Sequence, residues 1–103
     1  MFDLKKAMEM KKKMEEIQQR LDSIVVEGEA GDAAYKVTVS VTASKKIRNI
    51  DISDSLFSAG DKDHLTDLLM LAIERGMEKA QQVSDAEARN MALTGGLGGL
   101  FGG

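Results

Sequence analysis

Nine residues near the middle of the chain, Tyr35-Lys36-Val37-Thr38-Val39-Ser40-Val41-Thr42-Ala43, alternate polar and apolar side chains without a break. A period of two sends successive side chains to opposite faces of a strand. Val37, Val39, Val41 and Ala43 therefore look one way, and Lys36, Thr38, Ser40 and Thr42 the other. One apolar face and one polar face describe an antiparallel sheet covered on one side only. The cover has to come from the segments on either side of it.

Both flanks first supply further strands. Ile24-Val25-Val26-Glu27-Gly28-Glu29 is short and β-branched and runs to a Gly31-Asp32 turn. Ser44-Lys45-Lys46 turns the chain into Ile47-Arg48-Asn49-Ile50-Asp51-Ile52, with Ile50 and Ile52 on the apolar face. The connections are too short for crossovers, so the three strands form an antiparallel meander. The covers are helices. Over residues 3–22, Ala7, Met10, Met14, Ile17 and Leu21 recur at spacings of three and four, widened by Leu4 and Met8, while Lys5, Lys6, Lys12, Lys13, Glu16 and Gln19 fall outside the stripe. This helix is too short for an independent coiled coil and needs a partner or a sheet. Residues 53–60 read as a turn-rich link with one helical turn at Asp54-Ser55-Leu56-Phe57. Asp61 then caps a second helix over about 62–92, with Asp63 in its first turn.

Leu65, Leu68, Leu69, Ala72, Ile73, Gly76, Ala80 and Val83 give the second helix one stripe, and Met70, Leu71 and Met77 lie beyond it. Leu68 to Ile73 is apolar all round. One face covers the sheet and the other would be left in water in a monomer, which marks an interface. The expected dimer interface is Leu68, Leu69, Leu71, Ala72, Ile73 and Gly76, with mid-helix Gly76 used for a close helix–helix contact. The alternative is a helix buried within a monomer. The expected fold is thus α+β: a helix, a three-stranded antiparallel meander and a long helix, dimerising through the body made by sheet and second helix. With 103 residues there is one domain, over residues 1–94, and then a low-complexity Gly-rich tail at 95–103, expected to be flexible and carrying Leu97, Leu100 and Phe101.

Charge is segregated along this chain of net charge −3. Residues 5–13 hold Lys5, Lys6, Lys11, Lys12 and Lys13 against Glu9, and residues 35–49 hold Lys36, Lys45, Lys46 and Arg48 with no acid. Residues 50–67 are acidic, with Asp51, Asp54, Asp61, Asp63 and Asp67 against Lys62. The chain has no Cys, which removes disulfides, thiolate metal sites and Cys nucleophiles and fits a reducing compartment. No apolar run is long enough to span a bilayer and the charged N-terminus is no signal peptide, so a cytoplasmic location is expected. His64, beside Asp61, Asp63 and Asp67, reads as a solvated helix-start residue, not a metal ligand. No nucleophile–base pair, phosphate loop or cleft is apparent. The expectation is a non-enzymatic protein without cofactor, metal or small-molecule substrate.

Several stretches, taken in their order along the chain, point to a family. Met8 to Glu16 in the first helix, Val26-Glu27-Gly28-Glu29-Ala30-Gly31 leading into Tyr35 to Val39, Ile50 to Leu56, Asp61 to Leu69 with Ala72, and Met91-Ala92-Leu93-Thr94-Gly95-Gly96-Leu97 together resemble the YbaB/EbfC family of small bacterial nucleoid-associated proteins. The resemblance covers about residues 3–97 and lies in order and spacing, not in one motif. It implies a tweezer-like α+β homodimer, binding to double-stranded DNA with little sequence preference, a nucleoid location, and a role in nucleoid organisation or gene regulation. The candidate DNA-contacting residues are Lys5, Lys6, Lys12 and Lys13 on the first helix and Arg75, Lys79 and Arg89 on the second, with Lys45, Lys46 and Arg48 as a second patch. The residues alone leave open whether these lysines meet phosphate or only solubilise an amphipathic helix; the resemblance favours phosphate. The alternative function is a protein–protein adaptor using the Met-rich helix and the apolar tail. A basic membrane-surface helix is disfavoured by Glu9, Glu15 and Glu16.

Overall fold

The computed structural model describes residues 3–93. The elements run in the order α1 (Leu4–Ser23), β1 (Val25–Gly31), β2 (Lys36–Thr42), β3 (Ile47–Ile52), α2 (Asp54–Ser58) and α3 (Lys62–Leu93). The helix–meander–helix α+β architecture read from the periodicity is present. The expected flexible tail at 95–103 lies outside the described residues.

The sheet has the order β1-β2-β3, with both pairings antiparallel. Val37 faces Ile52 and Val39 faces Ile50, so the alternation in β2 sets the face of β3. The register slips by one between Ser40 and Val41: Ser40 pairs with Asn49 but Val41 with Ile47. Arg48 is the extra residue of a β-bulge, and the bulge returns Ile47 to the same face as Ile50. The β1–β2 turn is closed by the Asp32 carboxylate, which accepts from the backbone N–H of Ala34 at 3.0 Å and of Tyr35 at 2.9 Å. Backbone bonds from Tyr35 and Ala34 favour the ionised form and hold the Asp32 pKa below the ordinary carboxylate range. Asp61 caps α3 as expected, accepting from the backbone N–H of His64 at 3.1 Å. Asp3 does the same for α1, taking the N–H groups of Lys5 and Lys6.

Val37, Val39 and Val41 are fully buried, together with Ala30 of β1, Leu56 of α2 and Ala72 of α3. What lets α3 reach the sheet is a meeting of two glycines. A Cβ on Gly28 would stand 2.1 Å from the Ala72 carbonyl oxygen and 2.2 Å from the Gly76 nitrogen. On Gly76, a Cβ would lie 2.6 Å from Cγ2 of Val41 and 3.5 Å from the Gly28 nitrogen. Helix backbone thus rests on strand backbone with no side chain between them. Gly76 makes its close contact with β1 of its own chain and not, as expected, with a second helix.

Three further expectations are corrected. Thr42, assigned to the wet face, is fully buried, because its hydroxyl bonds Ser44 and the backbone N–H of Lys46 where α1 joins the sheet. Ile50 lies on the apolar face as expected but is 42% exposed, and Ile47 beside it 46%, because α3 rests on β1 and β2 and leaves β3 largely uncovered. The apolar run of α3 is mostly spent inside the protomer. Ala72 and Gly76 are buried and Leu68, Leu69 and Ile73 half-buried, so of that run only Met70 and Leu71 face solvent.

The two glycines give an ordered prediction. Gly28→Ala meets backbone on the helix and should cost about 3 kcal/mol of unfolding free energy, the upper part of the overpacking range. Gly76→Ala meets mainly one valine methyl and gains helix propensity worth roughly 1 kcal/mol, so its cost should be clearly smaller. Urea midpoints of the two variants check the order.

Candidate nucleic-acid interface

α1 is a 20-residue amphipathic helix with no buried residue. Its C-terminal end is anchored where it enters the sheet. Asp22 accepts from Ser44 Oγ, from Gln18 Nε2 at 3.4 Å and from Lys46 Nζ at 3.4 Å, and the Ser44 bond, with Lys46 beside it, holds its pKa below the usual range. Within the same helical turn α1 is tied to α3: Arg20 Nε donates to Glu87 Oε2 at 2.6 Å and Nη2 to Oε1 at 3.3 Å. This two-point pairing raises the Arg20 pKa and lowers that of Glu87. This pair links the C-terminal turn of α1 to the C-terminal third of α3, and α1, with no buried residue, is an arm on a molecule 64 Å long and 22 Å wide.

The arm carries the predicted lysines. Lys5, Lys6 and Lys12 are exposed and Lys13 half-exposed, and among the described residues none of the four enters an ion pair. Helical geometry puts Lys5 with Lys12 and Lys6 with Lys13 on two neighbouring lines, because seven residues are nearly two turns. Glu9 and Glu16 fall between those lines. The basic surface is thus four ammoniums with two carboxylates set among them, and free ammoniums are the groups that neutralise phosphate. The glutamates temper the field without removing it.

The predicted residues on α3 divide. Lys79 and Arg89 are exposed. Arg75 is already engaged, its Nη1 donating to the Glu29 carbonyl oxygen at 2.7 Å, and it ties the helix to the edge of β1. The second patch also divides. Lys46 is bound to Asp22, and Lys45 holds the tight β2–β3 turn at φ 69° with its side chain exposed. Arg48 stands exposed at the bulge. Sequence reasoning missed the Arg20–Glu87 pair, which aligns the arm; 67 positions separate its partners and nothing local signals it. Among the described residues no group of three His, Asp or Glu gathers as a metal site, and no helix is long and apolar enough to cross a membrane.

The predicted dimer residues are redistributed in a similar way. With Ala72 and Gly76 inside the protomer, the apolar surface left to a partner is elsewhere. Ile47 and Ile50 face the helix side of the sheet beyond the reach of α3, whose Ile73 and Met77 line a shallow concavity with Lys45 of the β2–β3 turn.

Comparison with known proteins agrees with this architecture. A family model described as the YbaB/EbfC DNA-binding family matches residues 1–97. A nucleoid-associated protein of Chloroflexus aurantiacus is 40% identical over 95 residues, covering 92% of this chain and 91% of its own. A protein of the same description from Acetivibrio thermocellus is 36% identical over 99 residues, 96% of this chain and 84% of its own. The crystal structure of an uncharacterized Helicobacter pylori protein superposes with a TM-score of 0.69 at 22% identity, covering 88% of this chain and 98% of that one, and shows the same fold.

Asp22, Asp32 and Glu87 all have lowered pKa values, so each adds stability that is complete above its unfolded pKa and disappears as pH falls through the folded one. The chain should therefore lose stability on acidification below about pH 4. Denaturant unfolding at pH 6 and pH 3.5 measures this, and in Glu87→Gln the acid-induced loss should be shallower, with faster hydrogen exchange in the last two turns of α1 at either pH.

Proposed function

The chain belongs to the YbaB/EbfC DNA-binding family, and on that premise we propose that it is a non-enzymatic nucleoid-associated protein that binds double-stranded DNA as a homodimer with little sequence preference, contributing to nucleoid organisation and gene regulation. The observation that carries this reading is the row of four lysines, free of ion pairs among the described residues, on a helix that projects from the body. The site is electrostatic and its readout is the phosphate backbone. No aromatic side chain stands between Lys5 and Lys13 to stack on unpaired bases, which favours duplex over single strand.

A homodimer is supported by the uncovered apolar edge. Ile47 and Ile50 on β3 are left partly in water in a monomer, and beside the β2–β3 turn Ile73 and Met77 of α3 line a shallow concavity with Lys45, Glu74 and Glu78. This face takes the place of the buried part of the interface expected from sequence. Joining two copies there presents eight arm lysines to one duplex, and overall acidity elsewhere keeps binding weak and non-specific. Lys79 and Arg89 extend the basic surface along α3. A protein–protein adaptor is the second reading, favoured by the exposed apolar stripe of α1, in which Leu4, Met8 and Met14 are 64%, 63% and 63% accessible.

Titration of duplex DNA across a salt series tests the DNA reading. With four to eight phosphate contacts, the slope of log K against log salt should lie between about −4 and −7. Lys5/Lys6/Lys12/Lys13→Glu should abolish binding at low salt. Binding unchanged in that variant would remove α1 from the interface.

A further inference from the structure

Arg20 has a local partner that it does not take. Glu16 precedes it by four residues, the spacing at which a helix pairs an acid with a base. The Arg20 guanidinium instead crosses to α3, with Nε and Nη2 on the two carboxylate oxygens of Glu87 at 2.6 and 3.3 Å. Glu87 is well covered where it receives this contact, its side chain 17% accessible against 61% for Arg20. A two-point pair of this kind fixes direction as well as distance.

The pair acts on a long lever. α1 buries none of its 20 residues, and one residue, Ile24, separates it from β1. Asp22, bonded to Ser44 and Lys46, anchors the helix two residues from that junction. A bond so near a pivot resists a swing weakly. Arg20 stands further out and holds the helix at a second point, on a different element. Two points on two elements define a direction where one does not. From Ile24 to Lys5 is about 28 Å along the helix, so a tilt of about 10° moves Lys5 by about 5 Å. That exceeds the length of a hydrogen bond, and the whole lysine row moves with it.

We propose that Arg20 and Glu87 are positioning residues for DNA binding: the pair latches α1 to α3 and so sets the direction in which Lys5, Lys6, Lys12 and Lys13 face the duplex. This role rests on the DNA reading given above. It gives a carboxylate a favourable part in binding a polyanion, because Glu87 acts through Arg20 and the helix and not on phosphate. Two latched rows meet one duplex together, whereas a swinging arm lowers the effective concentration of the second row.

The sign of one substitution separates the latch from simple electrostatics. Glu87→Gln removes a negative charge and releases Arg20 to meet phosphate, so charge alone gives tighter binding. The latch gives the opposite, a duplex affinity roughly threefold or more weaker. Arg20→Glu with Glu87→Arg keeps the net charge and restores the pair in reverse, and it should recover most of the wild-type affinity. If Glu87→Gln binds as tightly as wild type or tighter, or if the reversed pair is no better than Glu87→Gln, the role is overturned and the DNA reading stands. A wild-type chain that does not bind duplex at low salt overturns the DNA reading and this role with it. A second measurement needs no DNA. The chain has no Cys, so spin labels at Met8→Cys and Asn49→Cys, both exposed positions, report the angle between arm and sheet. With the labelled chain diluted in unlabelled chain, the distance distribution should be narrow with the native pair, broad in Glu87→Gln and narrow again in the reversed pair. Equal distributions in all three would overturn the latch.

Discussion

The structure turns on the backbone contact between Gly28 and Gly76. A three-stranded sheet with one apolar face has to be covered, and α3 covers it by lying directly on β1 with no side chain between the two backbones. That approach sets the lateral position of the helix. Seated over β1 and β2, α3 buries Val37, Val39 and Val41 completely and brings Arg75 within reach of the Glu29 carbonyl. It also leaves β3 without a roof. The same contact that closes the core of one protomer thus creates the apolar edge at Ile47 and Ile50, and the bulge at Arg48 enlarges that edge by bringing Ile47 onto it.

The second consequence is the arm. α3 is 32 residues long, far more than the sheet can underlie, so its C-terminal third runs on past the strands. α1 enters the sheet at that same end and is held there by Asp22 against Ser44 and Lys46 and by Arg20 against Glu87. These contacts are polar and solvent-facing, and each is individually weak. Their effect is alignment. An acidic chain can then offer phosphate a basic surface because lysines are concentrated on a projecting helix while the acidic run of residues 50–67 lies around the end of β3, α2 and the start of α3.

Much of this was legible in the sequence because it is local. The alternation over residues 35–43 identified β2 and its buried face, and the periodicities of three and four placed α1 and α3 to within a residue or two of their ends. Asp61 announced its helix by chemistry that acts over three residues. The lysines of α1 stood out by charge segregation, but it was the family resemblance and not the residues alone that favoured phosphate as their partner. What could not be read is what depends on contacts distant in sequence. Gly28 and Gly76 look like a strand weakness and a helix weakness until they are seen to meet. Thr42 reads as wet because alternation takes no account of a helix entering from elsewhere. Arg75 and Arg89 look equivalent on the helix, yet it is Arg75 that finds a strand carbonyl. Ala72 and Gly76 were misplaced in the expected interface for the same reason: hydrophobicity shows that a helix has more than one apolar face but not how far across a sheet it sits.

Closure of the uncovered β3 edge by a second copy is what would bring two lysine rows together. Sedimentation equilibrium of the full chain and of Ile50→Glu, at micromolar protein, measures this most directly. The wild-type chain should sediment at twice its chain mass, and Ile50→Glu, a charge placed on a half-exposed edge position, should return it to the monomer while keeping the fold. A wild-type chain that stays monomeric at every concentration, or a dimer indifferent to Ile50→Glu, would contradict it.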